Sequence, residues 1–133
     1  MEEKTFIEER DEALYQAYVT ALRQPDVKSH QHAIEVAINS PTSQFWVSPI
    51  QAYREILWKK KGVRPNHIRP LRHDLVAELY DRYNELSQKP TFRGCSTFFI
   101  TQFSLQSRAS KFYLSMRSAV RIINRKRREK RVR

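Results

Sequence analysis

Residues 45–61 read FWVSPIQAYREILWKKK, and residues 112–128 read FYLSMRSAVRIINRKRR. In both, an aromatic phrase precedes a serine, and an apolar-periodic run ends in three consecutive bases, Lys59, Lys60, Lys61 in one and Lys126, Arg127, Arg128 in the other. Phe45, Ser48, Ala52, Arg54 and Ile56 recur 67 positions later as Phe112, Ser115, Ala119, Arg121 and Ile123. Outward from there, Ser40 recurs as Ser107 at the same offset, and Leu14, Tyr15, Tyr18 and Pro25 recur 65 positions later as Leu79, Tyr80, Tyr83 and Pro90. Matches of several residue types in one order point to an internal repeat of about 65 residues. The two-residue change of offset falls near the second helix of each copy, where the sequence does not place it uniquely.

Each copy reads as helical. Phe6, Ala13, Leu14, Ala17, Tyr18, Ala21 and Leu22 recur mostly at spacings of three, four and seven, which gives a helix from about Thr5 to Arg23 one apolar face, and Pro25 stops it. Ser29 is placed to cap a second helix with Ala33, Ile34, Ala37 and Ile38 buried, and Ser48 followed by Pro49 opens a third that ends at Gly62. Two glycines in 133 residues leave none of the tight hairpin turns that a sheet would need. The expected fold is therefore all-α: two tandem related trihelical units of about 65 residues each, sharing a core. The phrases 45–47 and 112–114 are able to pair as a minimal two-stranded ribbon. Expected boundaries are 1–61 for the first unit, 62–70 (GVRPNHIRP) for a linker, and 71–133 for the second unit with a basic C-terminal arm. Pro70 opens the fourth helix.

Charge is polarised along this frame. Residues 1–24 hold Lys4, Arg10 and Arg23 against six acids, whereas residues 107–133 hold eleven bases against Glu129 alone, within a total of +11. A balance of this sign and size attracts polyanions, and nucleic acid is the commonest of these in a cell. On the last helix, Met116, Ala119, Val120 and Ile123 form an apolar stripe, while Arg117, Arg121, Asn124, Arg125 and Arg128 fall on the other face. That ridge extends roughly 16 Å at 1.5 Å per residue, comparable with the ~12 Å major groove that admits one helix. A merely solvated face would mix Glu with Lys, because like charges four apart repel. Beyond Arg125 the stretch Lys126, Arg127, Arg128, Lys130, Arg131 and Arg133 is expected to fray into an arm that follows a phosphate backbone.

The matching helix of the first copy presents Ile50, Arg54, Leu57, Trp58 and Lys61, a ridge that is half apolar and suits packing, self-association or stacking by Trp58. The expected nucleic-acid contacts are thus Arg117, Arg121, Asn124, Arg125, Lys126, Arg127 and Arg128, with Lys111, Arg108, Arg54, Lys59, Lys60 and Lys61 in support. Trp46 and Tyr113 are expected in the core, together with Tyr15, Tyr18, Tyr80 and Tyr83. The aromatic phrase running into a short basic helix resembles, in a general way, the small helical DNA-binding modules of phages and other mobile elements. The turn from Asn39 to Val47 is longer than that of a helix-turn-helix.

No motif for catalysis is present: the sequence has no glycine-rich phosphate loop, no His-Glu-x-x-His and no nucleophile elbow. Cys95 stands alone, without a disulfide partner, and is expected as a small buried group. His30 and His32 point apart on a helix and make a poor metal pair. A non-enzymatic, duplex-DNA-binding protein without cofactor or metal is expected. RNA binding in a ribonucleoprotein, or beside a polymerase or reverse transcriptase, is the alternative, and a self-assembling virion or scaffold protein a third; homo-oligomerisation stays open. No apolar run reaches the ~20 residues that span a bilayer and the N-terminus is acidic, so a cytoplasmic protein packaged with nucleic acid or associated with the nucleoid is expected, with no membrane partner.

Overall fold

The computed structural model describes residues 2–63 and 69–131; residues 64–68 of the expected linker, and Arg133 of the expected arm, lie outside the described residues. The order is α1 (Glu2–Leu22), α2 (His30–Ile38), α3 (Pro49–Lys61), α4 (Pro70–Ser87), a short 3-10 turn (Pro90–Phe92), α5 (Thr97–Leu105) and α6 (Met116–Arg131). The protein is all-α, with no strand among the described residues.

Serine side chains start four of the helices. The hydroxyl oxygens of Ser29, Ser48, Ser96 and Ser115 accept the backbone N–H of His32, Gln51, Phe99 and Ser118 at 3.0, 3.3, 3.1 and 3.1 Å. Each such cap is worth about 1 kcal/mol, because it satisfies a donor that has no partner within its helix. Gly62 ends α3 in the left-handed region at φ 71°, where a side chain would be strained, and its N–H together with that of Val63 closes onto the carbonyls of Lys59 and Trp58.

The helices group into two compact units, which are not the two halves of the chain. The terminal unit combines Met1–Thr42 with Ser110–Arg133, and the central unit is Ser43–Ala109. In the terminal unit α1, α2 and α6 pack on one another, and in the central unit α3, α4 and α5 do. The expected boundaries at 61 and 70 follow the order of the helices along the chain; packing instead assigns α3 to the helices after it and α6 to the two that open the chain.

The reason lies in the phrases that precede α3 and α6. In the central unit the Phe45 N–H donates to the Leu105 carbonyl at the end of α5 at 2.8 Å. In the terminal unit the Phe112 N–H donates to the Ile38 carbonyl at the end of α2 at 3.1 Å. Carbonyls of a last helical turn lack helical partners, and each phrase satisfies one within the unit its helix joins. The latches also consume donors that a ribbon would use, and neither 45–47 nor 112–114 is a strand. Alternation along the extended phrase puts Phe45 and Val47 inward, at 1% and 4% exposure, and leaves Trp46 between them only half-buried. Phe112 is likewise buried, while Tyr113 is half-buried with φ 58°. The expected core positions of Trp46 and Tyr113 are thus taken by their neighbours.

Leu14, Tyr18, Ala21, Ala33, Ile34, Ala37, Phe112, Ala119, Ile122 and Ile123 are the buried apolar residues of the terminal unit's helices and latch. The central unit buries Phe45, Val47, Ala52, Ile56, Leu75, Val76, Leu79, Tyr83, Ile100 and Leu105. Tyr15, Tyr80 and Cys95 are half-buried where core positions were expected. On α5, Phe98, Phe99 and Phe103 stay exposed, with Phe92 edge-on to Phe103 at 5.2 Å between ring centres.

Candidate nucleic-acid interface

The buried stripe of α6 is Ala119, Ile122 and Ile123, with Met116 and Val120 only half-buried, so the helix is rotated slightly from the expected apolar face. The helix continues through Arg131 rather than fraying after Asn124. Two effects hold this basic segment helical: cations near a helix C-terminus are favoured by the helix dipole, and α1 supplies carboxylates.

Asp11 is the centre of that anchorage. It is 1% exposed, and it occupies a position on the same face of α1 as Leu14, Tyr18 and Ala21, so a carboxylate sits where the apolar stripe would continue. Arg10 donates to its Oδ1 from Nε at 3.0 Å and from Nη2 at 2.9 Å, and Arg125 of α6 donates to its Oδ2. Next to Arg125 on α6, Lys126 donates to Glu12 Oε1 at 3.0 Å, and one turn further Lys130 lies 3.5 Å from the same oxygen and over the Tyr15 ring. The Gln16 amide, donating to the other carboxylate oxygen at 2.8 Å, holds Glu12 below the ordinary range; burial opposes it, and Lys126 and Lys130 lower it further. On the α2 side, the Tyr18 hydroxyl lies 2.7 Å and Arg127 Nη1 3.4 Å from His30 Nδ1.

Of the ridge expected to face solvent, Arg125 is therefore occupied by Asp11 and, more loosely, by Glu129 at 3.6 Å; of the expected arm, Lys126 and Arg127 turn inward to α1 and α2. Arg117, Arg121 and Arg128 are exposed, and none forms an ion pair among the described residues. Arg121, Asn124, Arg125 and Arg128 line one wall of a cleft of about 500 Å³ with Ser118, Leu114 and Ile122, and Arg10 of α1 lines it too. Four guanidinium groups thus line one cleft, and two of them, those of Arg10 and Arg125, bind the buried carboxylate of Asp11.

The other expected contacts are spread more widely. Lys111 of the terminal unit lies over the Tyr113 ring at 5.3 Å. Arg108, Arg54, Lys59 and Lys61 belong to the central unit and are exposed there. Lys60, also exposed, donates to the Tyr83 hydroxyl at 3.2 Å and to Thr97 Oγ1 at 3.3 Å. The central unit has its own buried acid, Glu55 at 2% exposure, bound bidentately by Arg72 at 2.7 and 2.8 Å. That pair is matched one to one and leaves no surplus of positive charge.

Arg10 is the contributor that composition hides, because it lies in the acidic segment of the chain. The signal that finds it is Asp11 on an apolar stripe: a buried carboxylate requires a cationic partner. Among the described residues no group of three or more His, Cys, Asp or Glu side chains could hold a metal ion, and no helix is long and apolar enough to cross a membrane. Comparison with protein-family models, with curated proteins and with solved structures finds no match to this chain.

Proposed function

We propose that the protein is a non-enzymatic nucleic-acid-binding protein that grips duplex DNA through the outward arginines of α6. The observation that carries this reading is that Arg117, Arg121 and Arg128 stand exposed and unpaired on a helix whose inward bases are already tied to α1 and α2. A helix fixed in this way presents its charges without first having to be ordered, which lowers the cost of binding. Backbone phosphates fit such a row, because each neutralised phosphate releases condensed counterions.

The chain is also read as an ancient duplication with exchanged third helices. Helices α2 and α5 have the same length and matching serine caps at an offset of 67, as do the caps of α3 and α6. The latches Phe45 to Leu105 and Phe112 to Ile38 are reciprocal under the same offset. Helices α1 and α4 end at Leu22 and Ser87, 65 apart, so the two additional residues fall in the loop that contains the 3-10 turn. Under this reading each compact unit joins the first two helices of one copy to the third helix of the other.

A binding curve on duplex DNA at several salt concentrations tests the function. Affinity that falls steeply between about 50 and 200 mM salt supports it, and salt-insensitive or undetectable binding overturns it. A preference for structured RNA over duplex DNA of equal charge would replace DNA with RNA as the partner.

A further inference from the structure

We infer that the cleft between α1 and α6 is a preformed binding site for a phosphate group of the nucleic acid, with Arg10, Arg121 and Arg128 as its ligands and Asp11 as the residue that positions Arg10 and Arg125. The inference rests on the nucleic-acid reading and adds to it a place, a set of residues and a second helix.

The bland account is that these arginines serve only to satisfy Asp11. One guanidinium suffices for one buried carboxylate, as the bidentate pair of Arg72 with Glu55 shows in this same chain. Around Asp11 there are two, Arg10 and Arg125, and two more line the cleft with no acid of their own. Glu129, which is 54% exposed on its side chain and 3.6 Å from Arg125, offsets little of this surplus. Under the duplication reading the positions of the central unit that correspond to Arg121 and Arg128 also hold bases, Arg54 and Lys61, but those that correspond to Arg10, Asp11, Asn124 and Arg125 hold Leu75, Val76, Leu57 and Trp58, so the buried acid with its two arginines is particular to the terminal unit.

The geometry suits a phosphate in particular. Arg10 is 22% exposed on its side chain and both its bonds run to Oδ1 of Asp11, which fixes the plane of its guanidinium at the cleft wall. Planar forks held from behind are suited to phosphate oxygens, where a Lys acts only as a point charge. A cleft of about 500 Å³ also has room for the sugar attached to the phosphate, against Leu114 and Ile122. The shared chemistry is a phosphate of a polynucleotide, either internal to the strand or at its end.

The test measures binding of the full chain to two fluorescent duplexes of one sequence, with and without a 5′-phosphate, across a salt series. Arg10→Ala and Arg128→Ala are each expected to weaken binding about fivefold or more and to lower the salt slope by about one. Arg128 is exposed and has no ion-pair partner among the described residues, so that variant tests the site without depriving a buried acid of its cation. Asp11→Asn is expected to lower affinity while keeping the positive charges, a loss that charge counting does not produce. If the 5′-phosphate strengthens binding and Arg10→Ala removes that gain, the site takes a strand end; equal wild-type affinities with a lowered slope in the variants mean an internal phosphate. Wild-type binding with a steep slope that Arg128→Ala lowers but Arg10→Ala and Asp11→Asn leave unaltered overturns the cleft while leaving the proposed function standing. Absence of wild-type binding overturns the proposed function itself.

Discussion

Replacing Arg117, Arg121 and Arg128 together with Ala should flatten the salt dependence of DNA binding while leaving the fold intact. These three are exposed and make no ion pair among the described residues, so their removal leaves no buried acid without a partner. If they and Arg10 each neutralise one phosphate, the slope of log affinity against log salt is about −3.6, and a rise from about 50 to 200 mM costs the wild type about 150-fold. The triple variant keeps one contact, a slope near about −0.9, and a loss of only about fourfold over the same range. Fluorescence anisotropy with a labelled duplex measures both slopes, and circular dichroism with a urea titration checks that helicity and stability are retained. A triple variant with correct helicity and an unchanged slope would place the phosphate contacts elsewhere and refute the reasoning.

Arg125→Ala is a different kind of change: it deprives buried Asp11 of one of its two cations, and a urea titration should show about 1–3 kcal/mol of lost stability as well as any loss of binding. Glu12→Gln should flatten the acid side of the stability profile. Glu12 is held below its ordinary 4.5, so its contribution is complete above that pH and disappears as pH falls through the folded value; a variant that loses stability in acid as steeply as the wild type would contradict this. Ile123→Ala, at a fully buried position of α6, should cost about 2–5 kcal/mol in the same urea assay. Ser96→Ala removes the cap of α5 and should cost about 1 kcal/mol, read as a shift of the urea midpoint without a change of slope.

Local structure was legible in the sequence because its signals are local. Ser29, Ser48 with Pro49, Gly62 and Pro70 mark helix ends by backbone chemistry that operates within a turn, and the structure places each there. Which helices pack together was not legible. The apolar stripes of α3 and α6 are alike, and a stripe says that a helix needs a partner without saying which one. The backbone bonds that accompany that choice, Phe45 to Leu105 and Phe112 to Ile38, leave no trace in composition. The basic end was misjudged for a related reason. As a run from Arg125 to Arg133 it has the composition of a disordered arm, but Arg125, Lys126 and Lys130 within it are answered by Asp11 and Glu12, more than a hundred residues away in sequence.

That answering divides the charge of the protein into two populations with different work. Arg125, Lys126 and Lys130 meet the acids of α1, and Arg127 meets His30, so together they hold α6 in place. Arg117, Arg121 and Arg128 have no such partner among the described residues, and a net charge of +11 overstates what a ligand meets on this helix. Within the acidic N-terminal segment it is Asp11 and Glu12 that pair the inward charges of α6, leaving the outward ones on a helix anchored to α1. Reversing the sign of that segment at Glu12, as in Glu12→Lys, should weaken DNA binding even though it adds two units of positive charge to the chain. Repulsion from Lys126 and Lys130 would loosen α6 from α1, and charges on a loosened helix must be ordered again on binding. A Glu12→Lys variant that binds more tightly than the wild type across the whole salt range would mean that charge number, not the anchorage of α6, governs affinity.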